Sequence, residues 1–264
     1  YLQRRGVARL DAVVVSHDDI DHLNGLPEVA EGMSVGRVCG NPAMLAAAQT
    51  LSSAGFLRQC LQRQGIAMEG LDAIRTEGGG ATLHWLWPDE PTLAAPAAGD
   101  NDKSQVLLVE YAGRRILLCS DIEEYGQRGL LERCPDLRAD VVVMPHHGST
   151  RNLMEGFAER LGARHVIVSC SRSRVQSAWS PASGGVRAWY TPVHGAVTVR
   201  VSRHGELEAD SCRGGSLNAD PPGSVSAPHG GLPHHPTRDV MGDVPVIRIP
   251  GRALLVGLVG PDDG

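Results

Sequence analysis

The sequence predicts a layered α/β fold whose polar site is assembled where strands end. Three observations carry this. Short β-branched runs, such as residues 10–16 (LDAVVVS) and 139–144 (ADVVVM), alternate with segments of helical character. Both runs empty directly into polar clusters, HDDIDH at 17–22 and PHHGS at 145–149. A third strand leads to Asp121. Loops at strand ends are where layered α/β folds build their sites.

The elements follow in order. Residues 1–6 are polar and basic and could close a short helix at Gly6. The buried strand 10–16 comes next. Asn41 reads as a helix N-cap and Pro42 as the first helical position, with the helix running to about Gln64 and stopping at Gly65. Residues 82–87 alternate as a strand, and 88–102 form a loop rich in Pro, Ala, Gly and Asp. Two strands, 105–110 and 115–119, make a hairpin with Gly113 in its turn. Helices are expected over 122–133 and 152–161, strands over 139–144 and 165–170, and a last hairpin over 195–210 around His204 and Gly205. Residues 1–212 therefore form one domain. Beyond it, 213–264 reads as a disordered tail: 213–240 is dense in Gly, Pro, Ser and His, and 244–259 is more apolar with no evident partner.

Composition narrows the function. At 42% hydrophobic residues a packed core is possible, but aromatics contribute only 4%, so aliphatic residues must fill it. No apolar run approaches the roughly 18–20 residues needed to span a bilayer. A net charge of −5 argues against a generally basic nucleic-acid binder. It leaves room for an enzyme that meets phosphates through cations, because bound metal ions reverse the field of the carboxylates that hold them. The six cysteines show no CxxC spacing and read as buried or isolated thiols. The start at Tyr1, without Met or a signal peptide, reads as the middle of a longer chain.

The first cluster is the most informative. His17, Asp19, Asp21 and His22 place four potential ligands within six residues. Alternate side chains of a loop can face one point, so His17, Asp19 and Asp21 can converge while His22 swings to a second position. Lys103 and Ser104, before a strand, are candidate phosphate contacts, and Gly148 and Ser149 could offer backbone N–H groups to an anion. His84, His165, His194 and His204 read as structural or surface residues, and His229, His234 and His235 fall in the tail.

The HDDIDH run resembles the HxHxDH signature of the metallo-β-lactamase superfamily, with Asp19 in place of the second His. That HxDxDH variant is similar to the ComEC branch of DNA-uptake proteins. YLQRRGV at 1–7, HLNGL at 22–26, NDKS at 101–104, SDIE at 120–123 and MPHHGS at 144–149 match it in the same order. The resemblance covers roughly residues 1–212.

It implies a four-layer αββα sandwich holding one or two divalent ions, Mn²⁺ or Zn²⁺, and no organic cofactor. His17 and Asp19 would take one ion, Asp21 and His22 the second, and Asp121 would bridge them. One or both of His146 and His147 would close the site or meet the substrate. An Asp at position 19 makes the ligand set harder, which tilts the preference toward Mn²⁺. Two ions about 3.5–4 Å apart suit phosphodiester cleavage, with Asp21 orienting the attacking water and His147 beside it.

The implied function is a nuclease domain that degrades one DNA strand during uptake. A polytopic membrane domain would belong to the same protein, with the site in the cell envelope on the extracytoplasmic side of the inner membrane. Two alternatives keep the fold: a stand-alone hydrolase of another ester, and a degenerate domain that guides DNA. Two departures stand out. Ser180 occupies a position where the branch has a His, and Cys119-Ser120 replaces a Thr-Gly pair, placing a Cβ in a tight turn.

Overall fold

The computed structural model describes residues 6–182, residues 185–213 and the strands Val246–Ile249 and Arg252–Val256. Two sheets face each other. The larger has seven strands in the order Arg187–Tyr190, His165–Val168, Val141–Val143, Arg114–Leu118, Val106–Tyr111, Ala81–Trp87 and Glu77–Gly78. Its first four strands are parallel, and the rest join antiparallel through hairpins. The smaller has five, in the order Val246–Ile249, Arg252–Val256, Ala12–Val15, Val38–Gly40 and Met68–Gly70.

Side-chain alternation divides the core into three sheets of contact, as the period of two requires. Ala12 and Val14 of the smaller sheet meet Leu107, Val109 and Leu118 of the larger one between the sheets. Val13, Val15 and Val38 face the opposite way, onto Leu26, Leu57 and Leu61 of the helices Leu26–Gly32 and Ser53–Arg63. On the far side, Val106, Leu108, Leu117 and Val142 pack against Leu130 and Phe157 from the helices Glu124–Arg133 and Phe157–Leu161. The layers therefore run helix, sheet, sheet, helix, the expected αββα sandwich. Both faces of the central strands are buried, which is why residues 12–15 and 141–143 read as unbroken apolar runs.

Local chemistry accounts for the differences from expectation. Asn41 does cap its helix, accepting from the Met44 N–H at 3.0 Å. That helix, Pro42–Ala47, ends early, and a second, Ser53–Arg63, begins. The hydroxyls of Thr50 and Ser52 both donate to the Ala47 carbonyl, and Ser52 then caps the new helix through the Gly55 N–H. Such side-chain bonds compete with continued helix. The helix expected over 152–161 shortens to Phe157–Leu161, because Gly156 is left-handed at φ 70°. The loop at 88–102 contains the helix Glu90–Ala94, capped by Asp89.

Within the segment read as a tail, the structure describes two strands. Arg252–Val256 pairs in parallel with Ala12–Val15, and Val246–Ile249 pairs antiparallel with Arg252–Val256. Their backbone ladder extends the smaller sheet along the edge of Ala12–Val15. The remainder of 214–264, with His229, His234 and His235, lies outside the described residues, as do residues 1–5.

Candidate metal centre

The carboxyl ends of three strands meet at one edge of the sandwich. Ala12–Val15 delivers Ser16 and His17, and a short turn leads into the helix Ile20–Leu23, which carries Asp21 and His22. Arg114–Leu118 delivers Asp121, and Val141–Val143 delivers His146 and His147. These are neighbouring strands or facing sheets, so residues more than 100 positions apart in the chain converge.

Two groups of ligand atoms lie within 4.8 Å of one another: His17, His22 and Asp121, and Asp21, His22 and His147. His22 belongs to both. Its Nε2 is 3.2 Å from Asp121 Oδ1 and 3.9 Å from Asp21 Oδ2. His147 Nε2 lies 3.4 Å from Asp21 Oδ2 and 3.5 Å from Asp121 Oδ2. Asp19 Oδ2 stands 3.4 Å from His17 Nε2, at the more exposed side of the site. Asp121 thus presents one oxygen to His22 and the other to His147.

The opposite ring nitrogens are tied down. His147 Nδ1 donates to the Ser169 carbonyl at 3.0 Å; a carbonyl only accepts, so a neutral His147 turns its Nε2 lone pair toward the carboxylates. His17 Nδ1 and His22 Nδ1 lie 3.0 and 3.3 Å from the same Ser16 hydroxyl. That oxygen has two lone pairs and can accept from both rings. Both Nε2 atoms are then also lone pairs aimed inward. The Nε2 atoms of His17 and His22 are buried without a hydrogen-bond partner, which costs about 1–3 kcal/mol for each such group. Lone pairs and carboxylate oxygens facing each other at 3.2–3.5 Å repel unless a positive charge lies between them. The donor set of imidazole nitrogens and carboxylate oxygens fits divalent cations.

In place of a metal ion, a proton on the imidazole Nε2 supplies the positive charge that holds these carboxylates ionised. Asp19 is held below the usual carboxylate range chiefly by its contact with His17, and Asp21 by its contact with His147. Burial works against ionisation of Asp121 most strongly, but the facing His22, His147 and His17 together outweigh it and keep the carboxyl well below its ordinary value. Three ionised carboxylates at one point attract cations.

Backbone strain concentrates here as well. Ser120, His146 and His147 have φ of 50°, 45° and 56°, in the left-handed region. Non-glycine residues there cost on the order of 1–3 kcal/mol. The Ser120 hydroxyl donates to the Gln105 carbonyl, which anchors the turn that aims Asp121. Gly148, at φ 73°, approaches Val168 so closely that a Cβ would lie 2.6 Å from Cγ1; only glycine closes this turn.

Other anticipated residues lie elsewhere. His146 stands outside both convergent groups, with Nδ1 3.2 Å from Glu123 Oε1. Ser104 is fully buried beneath Asp121, and its Oγ accepts from the Asp121 N–H at 3.0 Å, so it orients a carboxylate and does not face a substrate. The Ser149 N–H is spent on the His146 carbonyl at 2.9 Å, which closes the turn and removes it as an anion donor. Lys103 is held through its carbonyl, which accepts from Asn41 Nδ2 at 2.8 Å. Ser180 is exposed. Asp18 turns away to accept from the Ala54 N–H at the start of Ser53–Arg63.

Sequence reasoning missed Ser16 and Ser169, which orient the imidazoles through a hydroxyl and a backbone carbonyl. Replacing Ser16 by alanine is expected to weaken divalent-metal affinity 10–100-fold, the usual cost of removing a group that orients a ligand, with little change in fold. Isothermal titration with Zn²⁺ reads it directly.

The family model described as "Beta-lactamase superfamily domain" matches residues 1–172. The chain belongs to this family. Superfamily relatives include ComE operon protein 3 of Bacillus subtilis (strain 168), 25% identical over 176 residues, which cover 66% of this chain and 21% of that one. Competence protein ComA of Neisseria gonorrhoeae is 27% identical over 216 residues, covering 81% of this chain and 27% of that one. The chain therefore spans only about a quarter of the length of these relatives, and the ComEC-type resemblance read from its motifs stands. Among solved structures, the metallo-β-lactamase fold protein YhfI from Bacillus subtilis aligns over 76% of this chain and 77% of that one, at 12% identity and a TM-score of 0.36. No helix among the described residues is long and apolar enough to cross a membrane.

Proposed function

We propose that this superfamily domain, read as residues 1–212, hydrolyses phosphodiester bonds of DNA within a competence-type uptake protein. The observation that carries the reading is the meeting of His17, His22 and Asp121, and of Asp21, His22 and His147, in two adjoining groups of donor atoms that share His22. His17, Asp19 and Asp121 would hold one divalent ion; Asp21, His22, His147 and Asp121 would hold a second. Such ions acidify water and stabilise charge on an attacked phosphate.

The chain's own groups then have separable tasks. Asp21, kept ionised beside His147, accepts a hydrogen bond from the attacking water and orients it. Asp121 keeps the two halves of the site in register, and Ser104 holds its backbone. His146, partly exposed, held by Glu123 and adjoining His147, is the imidazole that would meet a phosphate. The ligand chemistry supports Mn²⁺ or Zn²⁺, with the carboxylate at position 19 favouring the harder ion. The competence relatives are consistent with DNA as the polymer; the same reading takes a membrane-spanning portion of the protein as partner and a place in the cell envelope facing the extracytoplasmic side.

The test is cleavage of a labelled single-stranded oligonucleotide by the purified chain with Mn²⁺ or Zn²⁺. Asp21→Ala is expected to lose at least about 10²-fold, as removal of a positioned acid–base group usually does. Equal residual cleavage by the variant would assign the activity to a contaminant and leave a DNA-guiding role.

A further inference from the structure

The charge distribution along the chain is uneven in a way the metal centre does not explain. Acidic residues outnumber basic ones, 30 to 25, yet from 160 to 205 the sequence contains no Asp or Glu and seven arginines. Arg151 lies just before this stretch.

The fold brings part of this segment to the site. His147 donates to Ser169, immediately after the strand His165–Val168, and the chain then enters the turn Arg172–Ser177. That turn is stapled to the loop carrying His146 and His147 at three points. Trp179 N–H donates to the Gly148 carbonyl at 2.8 Å, Thr150 Oγ1 donates to the Ser177 carbonyl at 3.3 Å, and Ser149 and Ala178 form a β-bridge. Arg151, Arg172 and Arg174 are exposed on these two adjoining loops. Among the described residues, no carboxylate pairs with Arg151 or Arg172. The loops lie at the same strand ends as the metal centre. Arg160 and Arg164 sit at the other end, where Leu161 and Arg164 bond Ala139 and Asp140 at the start of a strand.

We propose that Arg151, Arg172 and Arg174 form a phosphate-binding strip that leads a single nucleic-acid strand across the His147 loop. The proposal rests on the phosphodiesterase reading and names its substrate-binding surface. Three considerations favour a polyanionic strand. An acid-free segment in an acidic protein creates a local positive field. Guanidinium groups grip phosphate oxygens through paired N–H donors. The turn carrying Arg172 and Arg174 is stapled to the loop of His147, so a strand gripped by these arginines passes the site.

Fluorescence anisotropy of a labelled oligothymidylate, measured in EDTA so that no cleavage occurs, tests the strip. In Arg151→Gln/Arg172→Gln/Arg174→Gln, the slope of log affinity against log salt should fall in magnitude by about 2, from about 0.7 for each lost single-strand phosphate contact. At 0.1 M salt, affinity should drop about 10²-fold. Arg160→Gln/Arg164→Gln should bind as the wild type does. Unchanged affinity and slope in the triple variant, or an equal loss in the remote pair, would overturn the proposal. So would equally effective competition by polyglutamate. Because binding is read without metal, a chain that binds through the strip but cleaves nothing would sink only the hydrolase reading.

Discussion

Asp121→Ala is expected to lower phosphodiester cleavage about 10³-fold or more while leaving the sandwich folded. Asp121 faces His22 with one oxygen and His147 with the other, so its removal dissolves both halves of the centre at once. Several kilocalories per mole of charge stabilisation come from such ions, and each 1.36 kcal/mol is tenfold in rate. The size of the effect separates Asp121 from its neighbours. His146→Ala, outside both convergent groups, should retain metal and lose less. Steady-state rates for the two variants, beside circular dichroism to verify folding, make the comparison. Equal losses in both would mean that His146 and Asp121 are not distinguished as the geometry requires.

The same geometry was only partly visible in the chain itself. The clusters at 17–22 and 145–149 announce themselves because a buried β-branched strand stops abruptly at polar residues. The Asn41 cap is likewise local chemistry, and it forms as anticipated. What the chain conceals is of two kinds. Partners that orient ligands leave no mark: the Ser169 contribution is a backbone carbonyl, and Ser16 looks like the last residue of any strand. Long-range pairing is equally silent. Nothing near 252–256 signals a ladder to residues 12–14, because parallel pairing carries no turn signature. The bonds that Ser104 and Ser149 make within the fold are hidden for a related reason. Hydroxyls and N–H groups near a site look available until the turn that consumes them is known.

Saturating metal should raise the melting temperature by about 8–16 °C. A ligand at a thousand times its dissociation constant stabilises the native state by about 4.1 kcal/mol, and for a domain of 150–250 residues each kcal/mol moves the midpoint by about 2–4 °C. The sign follows from the site: only the folded chain brings these imidazoles and carboxylates together, so metal binds the native state in preference to the unfolded one. Differential scanning fluorimetry of EDTA-stripped protein, with and without Zn²⁺ or Mn²⁺, gives the shift. The effect should vanish in Asp121→Ala, which keeps the surface charge of the rest of the chain and lacks the carboxylate that faces both His22 and His147.

The measurement closest to the central claim is the metal content of the purified chain after exposure to Zn²⁺ or Mn²⁺ and removal of excess, by inductively coupled plasma mass spectrometry. One to two equivalents per chain are expected, falling below one in Asp121→Ala. No stoichiometric divalent metal in the wild type, or the same amount in both proteins, would contradict a centre shared by His17, His22, His147, Asp21 and Asp121.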